Sequence, residues 1–390
     1  MIRAVKKFTV EERRRRIGVR HHLAARTKID DVAAIARSFI GLHGTDPVTI
    51  YLSAAARMKK PDVATIDRAL YDDRSIMRIL AMRRTLWVVP VELVATVHAA
   101  ASTAVAANER RRLLALMTEG GIVDAPKRVR ELSTKTVKAI REMDGGFVGE
   151  IIERVSGLEQ KIMVGANTKW GSEQSLGARI VPLLGVEGHI ARGRPRGSWI
   201  STQHRWEPIE KWLAGGIEPV HVADARVQLV TRWLRAFGPA PMSDLQWWTK
   251  WTLGETRKAL AAAHAVEVDI EGTTGVALAD DLEMTKAPAS WAALLPSLDP
   301  TVMGWKSRAW YLGEYEPRLF DRAGNAGPTV WCNGRVVGAW AQQKSGEIAW
   351  VLFEDVGAAA TAAIEKEAAR LEAWLGPVRF TPRFGPRWTG

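Results

Sequence analysis

The chain has 390 residues, 47% of them apolar and 25% charged, which is globular composition with length for two to four domains of about 150 residues each. A single cysteine, Cys332, excludes an internal disulfide framework, and also a cysteine-rich zinc site or iron–sulfur cluster held by this chain alone. With 55 basic residues against 43 acidic, the net charge of +12 points to a polyanionic partner, nucleic acid before membrane surface.

No signal-peptide stretch opens the sequence, and no run of about 20 apolar residues predicts a membrane span. The expected location is the cytoplasm. Ten of the first 30 residues are Lys or Arg and only three are acidic. Thr9 and Glu12 have capping-box spacing, so a helix carrying Arg13, Arg14, Arg15 and Arg16 is expected there. Such an Arg run is either a solvated face or a phosphate contact, because four guanidiniums repel one another unless an anion is near.

A second helix is predicted over Ile29 to Leu42, from the stripe Val32, Ile35, Ala36, Phe39 and Ile40. The run Gly41-Leu42-His43-Gly44-Thr45-Asp46-Pro47 reads as a loop, with Pro47 opening the next helix. Short helices are predicted over Asp62 to Tyr71 and Ser75 to Met82, a strand over Arg84 to Val89, and a helix over Val91 to Ala107. Two later stretches share one grammar. Residues 131–208 read as helix, helix (Gly149 to Val155) and helix (Ser172 to Leu184), then a basic ribbon. That ribbon is Gly188-His189-Ile190-Ala191-Arg192-Gly193-Arg194-Pro195-Arg196-Gly197-Ser198-Trp199, and His204, Arg205 and Trp206 close it.

Residues 221–282 repeat the order. A helix over Ala223 to Phe237 stops at Gly238-Pro239. A short helix capped by Ser243 carries Trp247, Trp248 and Trp251. A helix from the Thr252/Glu255 capping box then leads into a Val266–Leu278 hairpin. Three helices and a hairpin are the order of a winged helix, whose third helix enters the major groove. From Asp299 the texture turns to strands, with a hairpin at Asn333-Gly334, a strand over Ile348 to Phe353 and a helix over Ala358 to Leu375. In the tail, Arg379, Arg383 and Arg387 interleave with Phe and Trp.

Several landmarks in this order resemble the AlkZ/YcaQ-like winged-helix DNA glycosylases. They are the Gly41–Pro47 loop with Arg57 after it, Arg84-Thr85-Leu86-Trp87, and Phe237-Gly238-Pro239 with Trp247. Leu295-Pro296-Ser297-Leu298-Asp299-Pro300 and Asn333-Gly334-Arg335-Val336-Val337-Gly338-Ala339-Trp340 complete the set. The resemblance implies a mainly α fold with β: tandem winged-helix units in a C-shaped clamp, plus a C-terminal β-rich domain. The expected divisions are residues 1–130, 131–215, 216–290 and 291–390. It also implies excision of bulky N-alkylated purines from duplex DNA by a monomer, with no metal, nucleotide or other cofactor. The family's Gln-x-Gln or Gln-x-Asp motif falls at His43-Gly44-Thr45, and neither glutamine is present.

An alkylated purine is cationic and leaves readily, through an oxocarbenium-like sugar. The protein must then orient one water and stabilise positive charge. A histidine can hold that water and accept a proton. His43 and Thr45 are therefore the candidates for water, with Asp46 as charge stabiliser or, alternatively, as the N-cap of the next helix. Arg13, Arg14, Arg57, Arg84, Arg192, Arg194, Arg196, Trp199 and Arg205 are the candidates for DNA contact. In an extended ribbon, Arg192, Arg194 and Arg196 would share one face. A tryptophan such as Trp248 could stack on a base or pack in a core. The adjacent His21 and His22 point apart on a helix, which disfavours metal. No phosphate-loop, Gly-x-Ser-x-Gly or His-Glu-x-x-His motif is present. The alternatives to a glycosylase are a non-enzymatic DNA-binding regulator or architectural factor, and a protein that sequesters a DNA-damaging compound.

Overall fold

The computed structural model describes residues 5–165 and 171–386; Arg387 lies outside them. The chain starts with strand β1 (Lys7–Phe8) and helix α1 (Val10–Arg20). Thr9 caps α1 by accepting the Glu12 amide at 3.1 Å. The expected capping box is only half made. The Glu12 carboxylate takes Arg16 at 2.9 Å and the Thr285 amide at 2.8 Å instead.

Three stretches then fold with one order: helix, short strand or bridge, helix, helix and hairpin. The first comprises α2 (Val32–Arg37), β2 (Leu42–His43), α3 (Pro47–Arg57), α4 (Val63–Asp67), β3 (Ile76–Leu80) and β4 (Leu86–Pro90). Its sheet order is β2-β4-β3. The α2 helix is shorter than expected, because Ile40 takes a left-handed φ of 72° just before Gly41. The helix expected over Ser75 to Met82 is the strand β3. Four of its five residues are buried, and such a strand has no period-2 signature to separate it from a buried helix.

A helical rod follows, formed by α5 (Val94–Val97), a π turn (His98–Ser102) and α6 (Thr103–Glu119). The second stretch has α7 (Ala125–Glu142), a bridge from Gly146 to Trp206, and α8 (Val148–Arg154). It continues with β5 (Lys161–Val164), β6 (Ser172–Ser175), α9 (Gly177–Val186), β7 (Ile190–Pro195) and β8 (His204–Pro208). Residues 172–175, expected as helix, pair with β5 as a strand. The division expected at residue 130 falls inside α7, and Leu113 and Met117 of α6 lie in the same core as Val129 and Leu132 of α7.

The third stretch runs α10 (Val222–Phe237), a bridge from Ala240 to Val276, α11 (Met242–Thr249), α12 (Leu253–Ala262), β9 (Ala265–Ile270) and β10 (Thr273–Leu278). β1 adds in parallel to β9. The Thr252/Glu255 capping box is complete. The C-terminal part contains β11 (Ala292–Leu295), α13 (Ala309–Leu312), α14 (Glu316–Leu319), β12 (Thr329–Cys332), β13 (Arg335–Gln342), β14 (Ile348–Leu352) and α15 (Ala358–Leu375). Its sheet is antiparallel, β11-β12-β13-β14. At the hairpin tip Asn333 and Gly334 have φ 48° and 85°, the left-handed pair that a tight two-residue turn requires. No described helix is long and apolar enough to cross a membrane.

The first stretch, the third stretch and the C-terminal part share one hydrophobic core that also takes in Ala191 and Trp199, and most of the second stretch has its own. The shared core is pinned by Arg57 and Asp299, both fully buried, with contacts of 2.7 and 2.9 Å between two nitrogens and two oxygens. Arg57 also donates to the carbonyls of His21 and Ser53 and to the Thr301 hydroxyl. Asp299 accepts further from the Ser53 hydroxyl and the Thr301 amide. Burial alone would raise the Asp299 pKa, but the charge and hydrogen bonds of Arg57 bring it below the usual carboxylate range. Removing one partner of such a pair leaves an uncompensated buried charge. Asp299→Ala is therefore expected to lose about 3–5 kcal/mol of unfolding free energy, read from the urea midpoint at pH 7.

Candidate active site and nucleic-acid interface

The candidate catalytic loop is the edge strand β2 and the turn into α3. Gly41 is required there by close approach, since a Cβ on it would meet the Val88 carbonyl at 2.8 Å. His43 pairs with Trp87 across β2 and β4, with ring centroids 5.5 Å apart. Leu86 grips the turn beyond: the Gly44 amide donates to its carbonyl at 2.7 Å, and its amide donates to Thr45 Oγ1 at 3.1 Å. The Thr45 amide lies 3.5 Å from His43 Nδ1. His43 is 4% exposed. Burial first, and then the Arg83 charge, lower its pKa to about 3, so the imidazole is neutral at working pH.

Asp46 serves another purpose. It caps α3 by accepting the Val48 amide at 3.4 Å, and its other oxygen accepts the Arg383 amide of the tail at 3.2 Å. Burial raises its pKa, and those two amides oppose the rise. It lines a small void with Pro296, Trp340 and Phe380. The structure thus brings His43 and Thr45 together and turns Asp46 toward the tail.

The DNA-contact candidates divide by burial. Arg57 is a core residue with every donor engaged in protein, so its expected place on a DNA face is corrected. Arg13 is buried as well, lying 3.8 Å from the Trp310 ring centroid, and burial lowers its pKa to about 10. Arg14 donates to the Trp310 carbonyl at 3.1 Å. Trp199 is buried between Tyr51 and Trp374, 4.7 and 5.9 Å between ring centroids. Arg205 braces the turn before α8 through the carbonyls of Asp144 and Gly145, at 3.2 and 2.9 Å. These positions hold the protein together.

Arg84, Arg194 and Arg196 are the exposed candidates. Arg84 pairs with Glu109 at 2.6 and 2.9 Å. Arg194 reaches Asp67 at 2.7 Å and Asp72 at 3.0 Å, both in the first stretch. Arg196 pairs with Glu150 at 3.3 Å and covers the Phe147 ring. Surface pairs of this kind contribute about 0–1 kcal/mol, so a phosphate can displace the acid. Arg192 and Arg196 line one groove, and Arg194 turns away from it to the first stretch. The β7–β8 register shifts between Arg192 and Pro195, which turns Arg192 inward onto Trp206.

Trp248 is buried and packs edge-on against Trp87 at 5.2 Å. Trp247 is the half-buried ring, held between the guanidiniums of Arg83 at 3.9 Å and Arg308 at 5.0 Å. Both ring nitrogens of His21 and of His22 are taken by hydroxyls and carbonyls. Sequence reasoning passed over Arg78 and Arg83. The signal for Arg78 is a lone cation inside the apolar run Ile76-Met77-Arg78-Ile79-Leu80. Arg83 had none, since its role depends on the distant Trp247.

The fold is that of a DNA glycosylase. AlkZ of Streptomyces sahachiroi, a DNA glycosylase, has a solved structure that superposes with a TM-score of 0.71 at 20% identity, covering 96% of this chain and 98% of that one. A protein-family model described as DNA glycosylase AlkZ-like matches residues 36–374. The chain belongs to the AlkZ-like DNA glycosylase family, whose activity is directed at DNA in repair. No curated protein sequence matches it.

Buried His21 and His43 and partly buried His204 give the protein a pH signature. Burial lowers His21 and His43 to about 3 and His204 to about 2, whereas in an unfolded chain they protonate near 6.5. Below about 6.5 the unfolded chain binds more protons, so stability is full above that pH and declines as pH falls toward 3. The urea midpoint is expected to be lower at pH 5.5 than at pH 7.5, and the difference is expected to be smaller in His43→Gln.

Proposed function

We propose that this protein hydrolyses the N-glycosidic bond of bulky N-alkylated purines in duplex DNA, in repair or in self-protection against a genotoxin. It acts in the cytoplasm as a monomer, through tandem winged-helix units. The observation that carries the reading is a neutral histidine two residues from a threonine hydroxyl, at the loop where the family has its glutamines. Thr45 Oγ1 accepts from Leu86, and among the described residues no acceptor takes its proton. With Nδ1 taken by the Thr45 amide, His43 offers its Nε2–H to one water, and the second lone pair of Thr45 Oγ1 accepts from it. As the C1′–N bond breaks, the purine departs with the bonding electrons and becomes neutral. The oriented water adds to the cationic sugar and loses its proton. An imidazole with a pKa of about 3 guides that water and does not store the proton.

The loss of both glutamines favours a second reading, in which the protein binds duplex DNA without chemistry. Single-turnover incubation with duplex containing N7-methylguanine, beside a bulkier N7 adduct, separates the two. Abasic sites are expected, revealed by alkaline cleavage, with a rate that is flat from pH 8 to pH 5. His43→Ala is expected to slow excision by about a hundredfold while leaving binding intact. No excision of either adduct with tight binding retained would establish the second reading. Replacing Arg194 and Arg196 together is expected to weaken binding to all sequences and to reduce the salt slope by about one to two units.

A further inference from the structure

Two guanidiniums share one corner of the protein without an acid between them. Arg78 stands in the middle of β3 and is 4% exposed. Its Nη1 lies 2.8 Å from the ring nitrogens of His204 on β8. Its Nε and Nη2 are buried and meet no acceptor among the described residues. Arg192 on β7 lies over the Trp206 ring, 4.4 Å from the centroid, and its nearest charge is Arg78. Burial, then Arg78, lower Arg192 to about 10. Burial, then both arginines, keep His204 neutral, and its ring also hydrogen-bonds the Gly193 carbonyl.

Arg192 and His204 line an open groove of about 650 Å³, together with Phe147, Arg196, Thr202 and Gln203. Glu150 and Glu153 line it too. Glu150 pairs with Arg196, and neither acid pairs with Arg78 or Arg192. Taking two like charges out of water is unfavourable unless a counter-charge and hydrogen bonds compensate. An unmatched buried donor in a folded protein calls for an explanation, such as strain, catalysis or an ion. A tetrahedral oxyanion supplies the missing charge and has oxygens for both planar forks.

We infer that Arg78, Arg192 and His204 form a binding site for a phosphate oxyanion, where β3 of the first stretch meets the β7–β8 hairpin of the second. Arg192 meets the anion from the groove, Arg78 supplies donors from behind, and His204 orients Arg78. A phosphodiester of duplex DNA is the source that suits the proposed function, and that part alone rests on it. A free phosphate-bearing ligand would use the same donors.

The test follows thermal melting of the full chain and of Arg192→Met. Both are measured in chloride, in sodium phosphate at equal ionic strength, and with a short unmodified duplex. Phosphate is expected to raise the wild-type melting temperature saturably and to leave the variant unmoved. Arg192→Met is also expected to melt no lower than wild type in chloride, because it removes one of two neighbouring like charges; a merely structural arginine would give the opposite. A duplex effect that is likewise lost in the variant, with a salt slope smaller by about one, assigns the site to the DNA backbone. A phosphate effect without a duplex effect assigns it to a free ligand. Equal phosphate responses in the two proteins, no response in either, or a variant less stable in chloride would overturn the site. No lesion is present in this experiment, so its outcome is separate from that of the excision assay.

Discussion

A guanidinium and a carboxylate that never touch water hold the two ends of the chain together. Arg57 closes α3, Asp299 lies 242 residues further on, and their paired contacts cross from the first stretch to the C-terminal part. The network spreads from there. His21, at the end of α1, reaches Thr301 at 2.9 Å and the Ala236 carbonyl near the end of α10 at 3.0 Å. Four distant segments therefore meet at one buried polar cluster with defined directions, where an apolar core would have allowed sliding. The position of the His43 loop is inherited from this lock. Its partner Trp87 packs against Trp248 of α11, and α11 is fixed through the same core.

Burial also decides what the loop can do. On the proposed reading, a protonated imidazole would repel a cationic purine beside it. Packed under Trp87 and close to Arg83, His43 is kept neutral, which gives it the charge state of the glutamine it replaces. On the proposed reading the substitution preserves a neutral hydrogen-bonding group for water while changing its shape. Asp46 contributes differently, by stiffening the start of α3 and holding the tail over it.

Elements with local signals were legible in the sequence. The α3 start, with Asp46 and Pro47, is where the residues place it. So are the Thr252/Glu255 box, the Asn333-Gly334 turn and the helix Ala358–Leu375. What failed depended on partners far along the chain. β3 reads as helix because neighbours cover it on all sides, and Arg57 looks like a surface cation until Asp299 is placed beside it. Trp248, open to stacking or core packing in the sequence, packs in the core against Trp87 and Phe237. The location of the candidate loop could be read from sequence order. The neutrality of His43 could not, because it comes from tertiary burial and from Arg83.

The wing shows how one irregularity changes an interface. Had β7 kept a strict alternation, Arg192, Arg194 and Arg196 would present three charges to one phosphate track. The register shift sends Arg192 down toward Arg78, Arg194 across to Asp67 and Asp72, and Arg196 along the second stretch to Glu150. The acids that hold Arg194 belong to the first stretch, so its ion pairs also fasten the wing to the unit carrying the His43 loop. A phosphate that competes for Arg194 loosens that fastening, whereas an anion held between Arg78 and Arg192 tightens the same junction from beneath. The two effects oppose each other across a few ångströms. The fastening of the β7–β8 hairpin to the first stretch therefore depends on which of its arginines an anion engages, and total positive charge alone does not determine it.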